Sequence, residues 1–136
     1  MRSHLLRLMT LSVSLLVAAA PVMAHHSFAA EFDAKQPITV QGKVTRVAWT
    51  NPHVWIYMNI QGPDGKLVNW GFEMGAPHQV QNQGWSREMV KPGDELIVDG
   101  FRARNGSPRM NARKVTSAAT GKVFTGLGAG GGAGAQ

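Results

Sequence analysis

The 136-residue chain contains no cysteine. That excludes disulfides, thiol redox chemistry, cysteine nucleophiles and cysteine-based zinc or iron–sulfur sites, so packing alone must stabilise the fold. Long hydrophobic runs are also missing. The longest, Leu8 to Ala20, covers 13 residues, against the ~20 that a membrane-spanning helix needs. Acidic residues are scarce, 8 against 14 lysines and arginines. This mild positive balance permits an anionic partner without demanding one. Enzyme signatures are absent too: there is no Gly-x-Ser-x-Gly elbow, P-loop or His-Glu-x-x-His. Nothing marks a catalytic pair among Glu73, Asp94, Glu95 and Asp99, and the sequence leans away from an enzyme.

What is present begins with a leader. Arg2 and Arg7 precede the apolar run, and Pro21-Val22-Met23-Ala24 ends it with small or apolar residues at −3 and −1. This is the order of a cleavable secretory signal over residues 1–24. It lacks a twin-arginine pair and a cysteine after the cut to carry a lipid. The expected product is a periplasmic protein of 112 residues with net charge +4 and no transmembrane anchor, enough chain for one domain. At the other end, residues 126–136 are almost entirely glycine and alanine. Such a segment buries too little to offset its ordering entropy and is expected to be a disordered tail.

Between these ends the pattern is β-rich. Pro37 to Thr50 reads as a long strand bent at Gly42. After the Asn51-Pro52 break, His53 to Ile60 alternates cleanly: Val54, Ile56, Met58 and Ile60 share one face, His53, Trp55, Tyr57 and Asn59 the other. Gly62-Pro63-Asp64-Gly65 turns into a third strand, Leu67 to Met74. Ala76 to Val90 reads as one or two short helical turns broken at Gly84, with Ser86 as an N-cap. Strands follow over Glu95–Ala103 and Met110–Thr116, with a short sixth at Lys122-Val123-Phe124. This order predicts a mainly β fold, a small OB-like Greek-key barrel of five or six strands with one short helical segment, over residues 25–125. The expected core includes Val54, Ile56, Met58, Ile60, Val68, Trp70, Leu96 and Val98. Met58, Met74, Met89 and Met110 follow no methionine-rich spacing and are read as core filling.

Four stretches carry a resemblance: His25-His26-Ser27-Phe28, Trp49-Thr50-Asn51-Pro52-His53, Lys91-Pro92-Gly93-Asp94-Glu95 and Gly106-Ser107-Pro108. With them the chain, from His25 to about Phe124, resembles a family of small exported bacterial proteins of unknown function. The resemblance implies export and a compact β-barrel-like domain. No activity comes with it.

Two site hypotheses follow from the residues themselves. Cleavage after Ala24 makes His25 the first residue, so its α-amine and ring Nδ1 can chelate one metal ion together, with His26 or His53 completing the set. Nitrogen ligands in tetragonal geometry suit Cu(II), which also heads the divalent affinity order. The amine must lose a proton from a pKa of about 7.7–8.0, so affinity should fall as pH drops. Phe28 and Phe32, four apart, are placed to pin this segment to the barrel. Glu73 would orient the His53 ring as an outer-shell partner if the hairpin register sets them side by side. His78 reads as a surface residue.

The second hypothesis is an interaction module. Arg102, Arg104, Arg109, Arg113 and Lys114 flank the turn between strands four and five, and Trp55 and Tyr57 offer an aromatic sheet face. In an exported protein this suits an anionic glycan, a lipid head group or a protein partner rather than nucleic acid.

Overall fold

The computed structural model describes residues 27–125. The leader, His25, His26 and the glycine-rich tail lie outside the described residues. The chain forms α1 (Ser27–Glu31), β1 (Phe32–Trp49), β2 (Val54–Gln61), β3 (Leu67–Glu73), α2 (Pro77–Asn82), β4 (Glu95–Ala103), β5 (Arg109–Ser117) and β6 (Val123–Thr125). The fold is mainly β, as the alternation predicts, but it carries two short helices rather than one.

The sheet order is β3-β2-β1-β4-β5-β6, and β3 also pairs with β5. That extra pairing makes β1, β2, β3, β5 and β4 a ring of five strands. Neighbours in the ring run antiparallel, except that β3 and β5 are parallel, joined through Gly71↔Arg109, Phe72↔Met110 and Glu73↔Asn111.

The long β1 serves two partners, pairing with β4 over Pro37–Lys43 and with β2 over Lys43–Trp49. Gly42 stands at the changeover. A Cβ there would overlap the Asn59 carbonyl and the Ile60 side chain of β2, so only glycine lets the strands cross this closely. A bulge follows at Thr45, where the register jumps from Val44↔Met58 to Arg46↔Tyr57. Strict alternation would set Arg46 opposite Ile56, facing inward. The extra residue instead turns it to the outer face beside Tyr57.

The interior holds Val54, Ile56 and Met58 from β2, Phe72 from β3, Leu96 and Val98 from β4, Met110, Ala112 and Val115 from β5, and Met74, Val80, Trp85 and Val90 from the β3–β4 connection. Burial of this kind is worth about 1.5–3 kcal/mol for each large side chain. Three expected core residues differ. Ile60 and Trp70 are only partly buried against the cluster, and Val68 is 42% exposed. The β2–β3 hairpin outruns the ring there, so its inward face meets solvent at the tip. Met89 is also exposed rather than core-filling.

The connection between β3 and β4 differs from expectation as well. Pro77 sits at the first helical turn, and the Ala76 N–H donates to Gln79 Oε1 at 3.0 Å, fixing the start of α2. The helix ends before Gly84, whose φ is 88°. No helix follows Ser86 among the described residues, so Ser86 caps nothing; the chain runs on through turns to Val90. Among the described residues no helix is long and apolar enough to cross a membrane.

Candidate functional site

The β2–β3 pairing is regular from Trp55↔Glu73 to Gln61↔Leu67, with no bulge. On this register Trp55 and Glu73 face each other on the outer side of the ring, and His53 lies one step diagonally from Glu73. The His53 Nδ1 and Glu73 Oε1 are 2.5 Å apart, a short hydrogen bond. The Asn51–Pro52 bond that leads into His53 is cis, and the Thr50 hydroxyl donates to the His53 carbonyl at 3.5 Å.

Glu73 is a buried carboxyl on an outward-facing strand position, its side chain 7% exposed. The N-terminal segment makes this possible by covering it. Phe28 packs on Phe32 and on Phe101, each ring pair at 5.9 Å. Arg104 donates from Nε to the Ala29 carbonyl at 2.7 Å and from its backbone N–H to the Glu31 carbonyl at 2.9 Å. Arg109 reaches Glu31 at 3.3 Å. A cleft of about 280 Å³ remains, lined by Phe28, Glu31, His53, Trp55, Glu73 and Arg109.

Burial pushes the Glu73 carboxyl up to about 7; the negative Glu31 adds to the rise and Arg109 opposes it. Burial also pulls the His53 imidazole below its ordinary value, against the attraction of Glu31. The two shifts agree in sense, since each neutralises its group. The Nδ1–Oε1 contact couples the two groups, so they take up and release protons as a pair. With Nδ1 so engaged, Nε2 is the ring nitrogen left for a ligand.

Among the described residues no three histidine, aspartate or glutamate side chains gather into a metal-holding group. His25 and His26, named from the sequence as ligands with His53, lie outside the described residues. His78 is exposed on α2.

The arginines named from the sequence do not form one patch. Arg102 lies over the Trp70 ring at 5.7 Å and Arg113 over Phe101 at 5.7 Å. Arg104 is taken up by the N-terminal segment, with Asp33 at 3.7 Å, and Lys114 pairs with Asp99 at 2.8 Å. Only Arg109 adjoins the aromatic face, 4.9 Å from the Trp55 centroid. Trp55 and Tyr57 are stacked at 6.2 Å with 22° between planes. They lie across Gly71, where a Cβ would come within 3.4 Å of Trp55 and 3.5 Å of Tyr57. The residue that sequence reasoning misses is Arg46, whose guanidinium covers the Tyr57 ring at 4.0 Å. Its signal is the Thr45 bulge, which leaves no mark on the local pattern.

No curated protein matches the sequence. The family of unknown function DUF6152 matches residues 13–112, well over half of the chain, and the chain belongs to that family.

Proposed function

We propose that the mature chain is an exported binding domain that holds a copper ion through the His25 amine and imidazole, with His53 completing the set and His26 as the competing ligand. The observation that carries this reading is the His53–Glu73 hydrogen bond beneath α1. Histidine ligands commonly give their second ring nitrogen to a carboxylate, which fixes the tautomer and raises ligand basicity. Here the carboxylate is buried, the Nδ1 contact is made, and the segment that follows His25 and His26 is pinned beside it by Phe28 and Arg104. The reading requires cleavage after Ala24 and periplasmic export. We read the five-stranded ring as OB-like, a reading supported by the bent β1, the parallel β3–β5 closure and the helix between β3 and β4.

The test is a Cu(II) titration of three forms: the native terminus, a chain extended by one residue before His25, and His53→Ala. Extension keeps every imidazole but removes the α-amine from His25, so affinity should fall sharply. His53→Ala should weaken binding more modestly. Equal affinity of native and extended forms overturns the proposal, and intact mass of exported protein checks the cut.

A further inference from the structure

Along the outer face of β2 and β3 the chemistry changes in a fixed order: His53 just before β2, then Trp55, Tyr57 and Asn59 on it, with Gly71 and Asn69 opposite the last two. His53 to Asn59 spans about 20 Å at strand spacing. The middle of this strip holds two arginines whose guanidinium carbons lie over aromatic rings, Arg46 at 4.0 Å from the Tyr57 centroid and Arg109 at 4.9 Å from that of Trp55. A guanidinium held over a ring loses little freedom on binding, and its free N–H groups suit capture of a carboxylate; Arg109 already gives Nη2 to Glu31 at 3.3 Å and offers its remaining N–H groups. Arg46 is exposed and has no carboxylate partner among the described residues.

The surroundings say what carries the anionic groups. Beyond Tyr57 the face is rich in hydrogen-bonding groups, Asn59 and Asn69, with the exposed Lys43 of β1 opposite Asn59. Asn69 Nδ2 donates to Thr45 Oγ1 and to Asn59 Oδ1 at 3.0 and 2.9 Å, which leaves the Asn69 carbonyl and the Asn59 amide N–H groups for a ligand. The Ser107 hydroxyl, beside Trp55, Tyr57 and Arg109, is buried without a partner. Amides beside two guanidiniums match a ligand with many hydroxyls and regularly placed carboxylates. The rings already carry guanidiniums, so a nucleobase would have to displace an arginine to stack there. An open strip, unlike an enclosed cavity, suits a chain-like ligand.

We infer that the Arg46–Tyr57–Trp55–Arg109 strip binds an acidic polysaccharide, pairing uronate carboxylates with the two ring-seated guanidiniums. The inference does not depend on the copper reading, and its test uses metal-stripped protein.

The experiment is calorimetric titration of the exported mature chain with oligogalacturonate, its neutral methyl ester and an oligo-dT strand of similar length. The uronate should bind, and esterification should weaken binding by roughly tenfold or more. Arg46→Ala and Arg109→Ala should each lose roughly tenfold. Arg46→Lys should recover little, because an ammonium keeps the charge but not the fork. Arg113→Ala should bind as the native chain does, since Arg113 sits over Phe101 beside Pro37 and Thr39. If Arg109→Ala fails to fold through loss of its Glu31 pair, the exposed Arg46 variants decide the matter. Absence of uronate binding, equal binding of the ester, stronger binding of oligo-dT, or an equal loss in Arg113→Ala overturns the proposal.

Discussion

Phe28 meets Phe101 edge to face, at 79° between ring planes, across 73 positions of sequence. The contact ties the start of the described chain to β4, and it holds α1 as a cover over Glu73. The buried carboxyl, its raised pKa and the short bond to His53 all depend on that cover.

Replacing Phe28 by alanine should therefore cost about 1–2 kcal/mol from the lost ring contacts. The characteristic effect should be local. The Arg104 amide, which donates to the Glu31 carbonyl, should exchange with solvent faster, while amides of Val98 and Met110 keep their protection. Hydrogen exchange by NMR measures both, and uniform loss of protection would contradict a docked cover.

Glu73 makes stability depend on pH. Its folded pKa is raised from 4.5 to about 7, so the folded state binds more protons than the unfolded chain between these values. Stability from this group is full below about 4.5 and falls as pH rises through 7, by at most about 3 kcal/mol. His53 acts in the opposite sense: its lowered pKa removes stability as pH falls through the ordinary histidine range. Glu73→Gln keeps an acceptor for the imidazole and removes the buried charge. The metal-free variant should match the native protein at pH 4 and exceed its stability at pH 8. Urea midpoints across pH 4–8 check this, and parallel curves would mean that Glu73 is charged and solvated throughout.

In the core, Phe72→Ala should be among the most damaging changes, about 3–5 kcal/mol, because the ring is fully buried opposite Ile56. Trp70→Ala should cost clearly less, since that ring is partly exposed. Val68→Ala should fall within about 0.5 kcal/mol of the native protein. Denaturant unfolding ranks the three.

Gly100 offers a sharper contrast with Gly71. A Cβ at Gly100 would overlap the Asn111 backbone carbonyl, whereas one at Gly71 meets only the Trp55 and Tyr57 rings at ordinary contact distance. Gly100→Ala should prevent normal folding, and Gly71→Ala should fold while shifting the tryptophan fluorescence. Expression, circular dichroism and fluorescence of the two variants separate these outcomes.

Much of this architecture is legible in the residues because strand alternation is a local signal. The β2 faces follow directly from Val54, Ile56, Met58 and Ile60, and the limits of β4 from its flanking turns. The exposure of Val68 is not legible, because alternation identifies a face but not where the ring beneath it ends. Nor is the orientation of Arg46, since a single inserted residue at Thr45 reverses every side chain after it. The start of β1 at Phe32, earlier than the pattern suggests, depends on Arg104 and Phe101, which lie far away in sequence. For the candidate site, the pairing of His53 with Glu73 follows from the sequence only on condition of a regular hairpin, and the structure has that regular register.

The three-residue seam between β3 and β5 has a consequence for how the chain reaches its folded state. Both ends of β1 find partners only when β2 and β4 exist, and β3 has no second neighbour until Arg109 to Asn111 arrive. The pairings that close the ring, β1 with β4 and β3 with β5, are therefore non-local, and the ring is incomplete without both. Such topologies fold slowly and all at once, in milliseconds to seconds for domains of this size. A nascent chain stopped before β5 should stay open and sensitive to proteases.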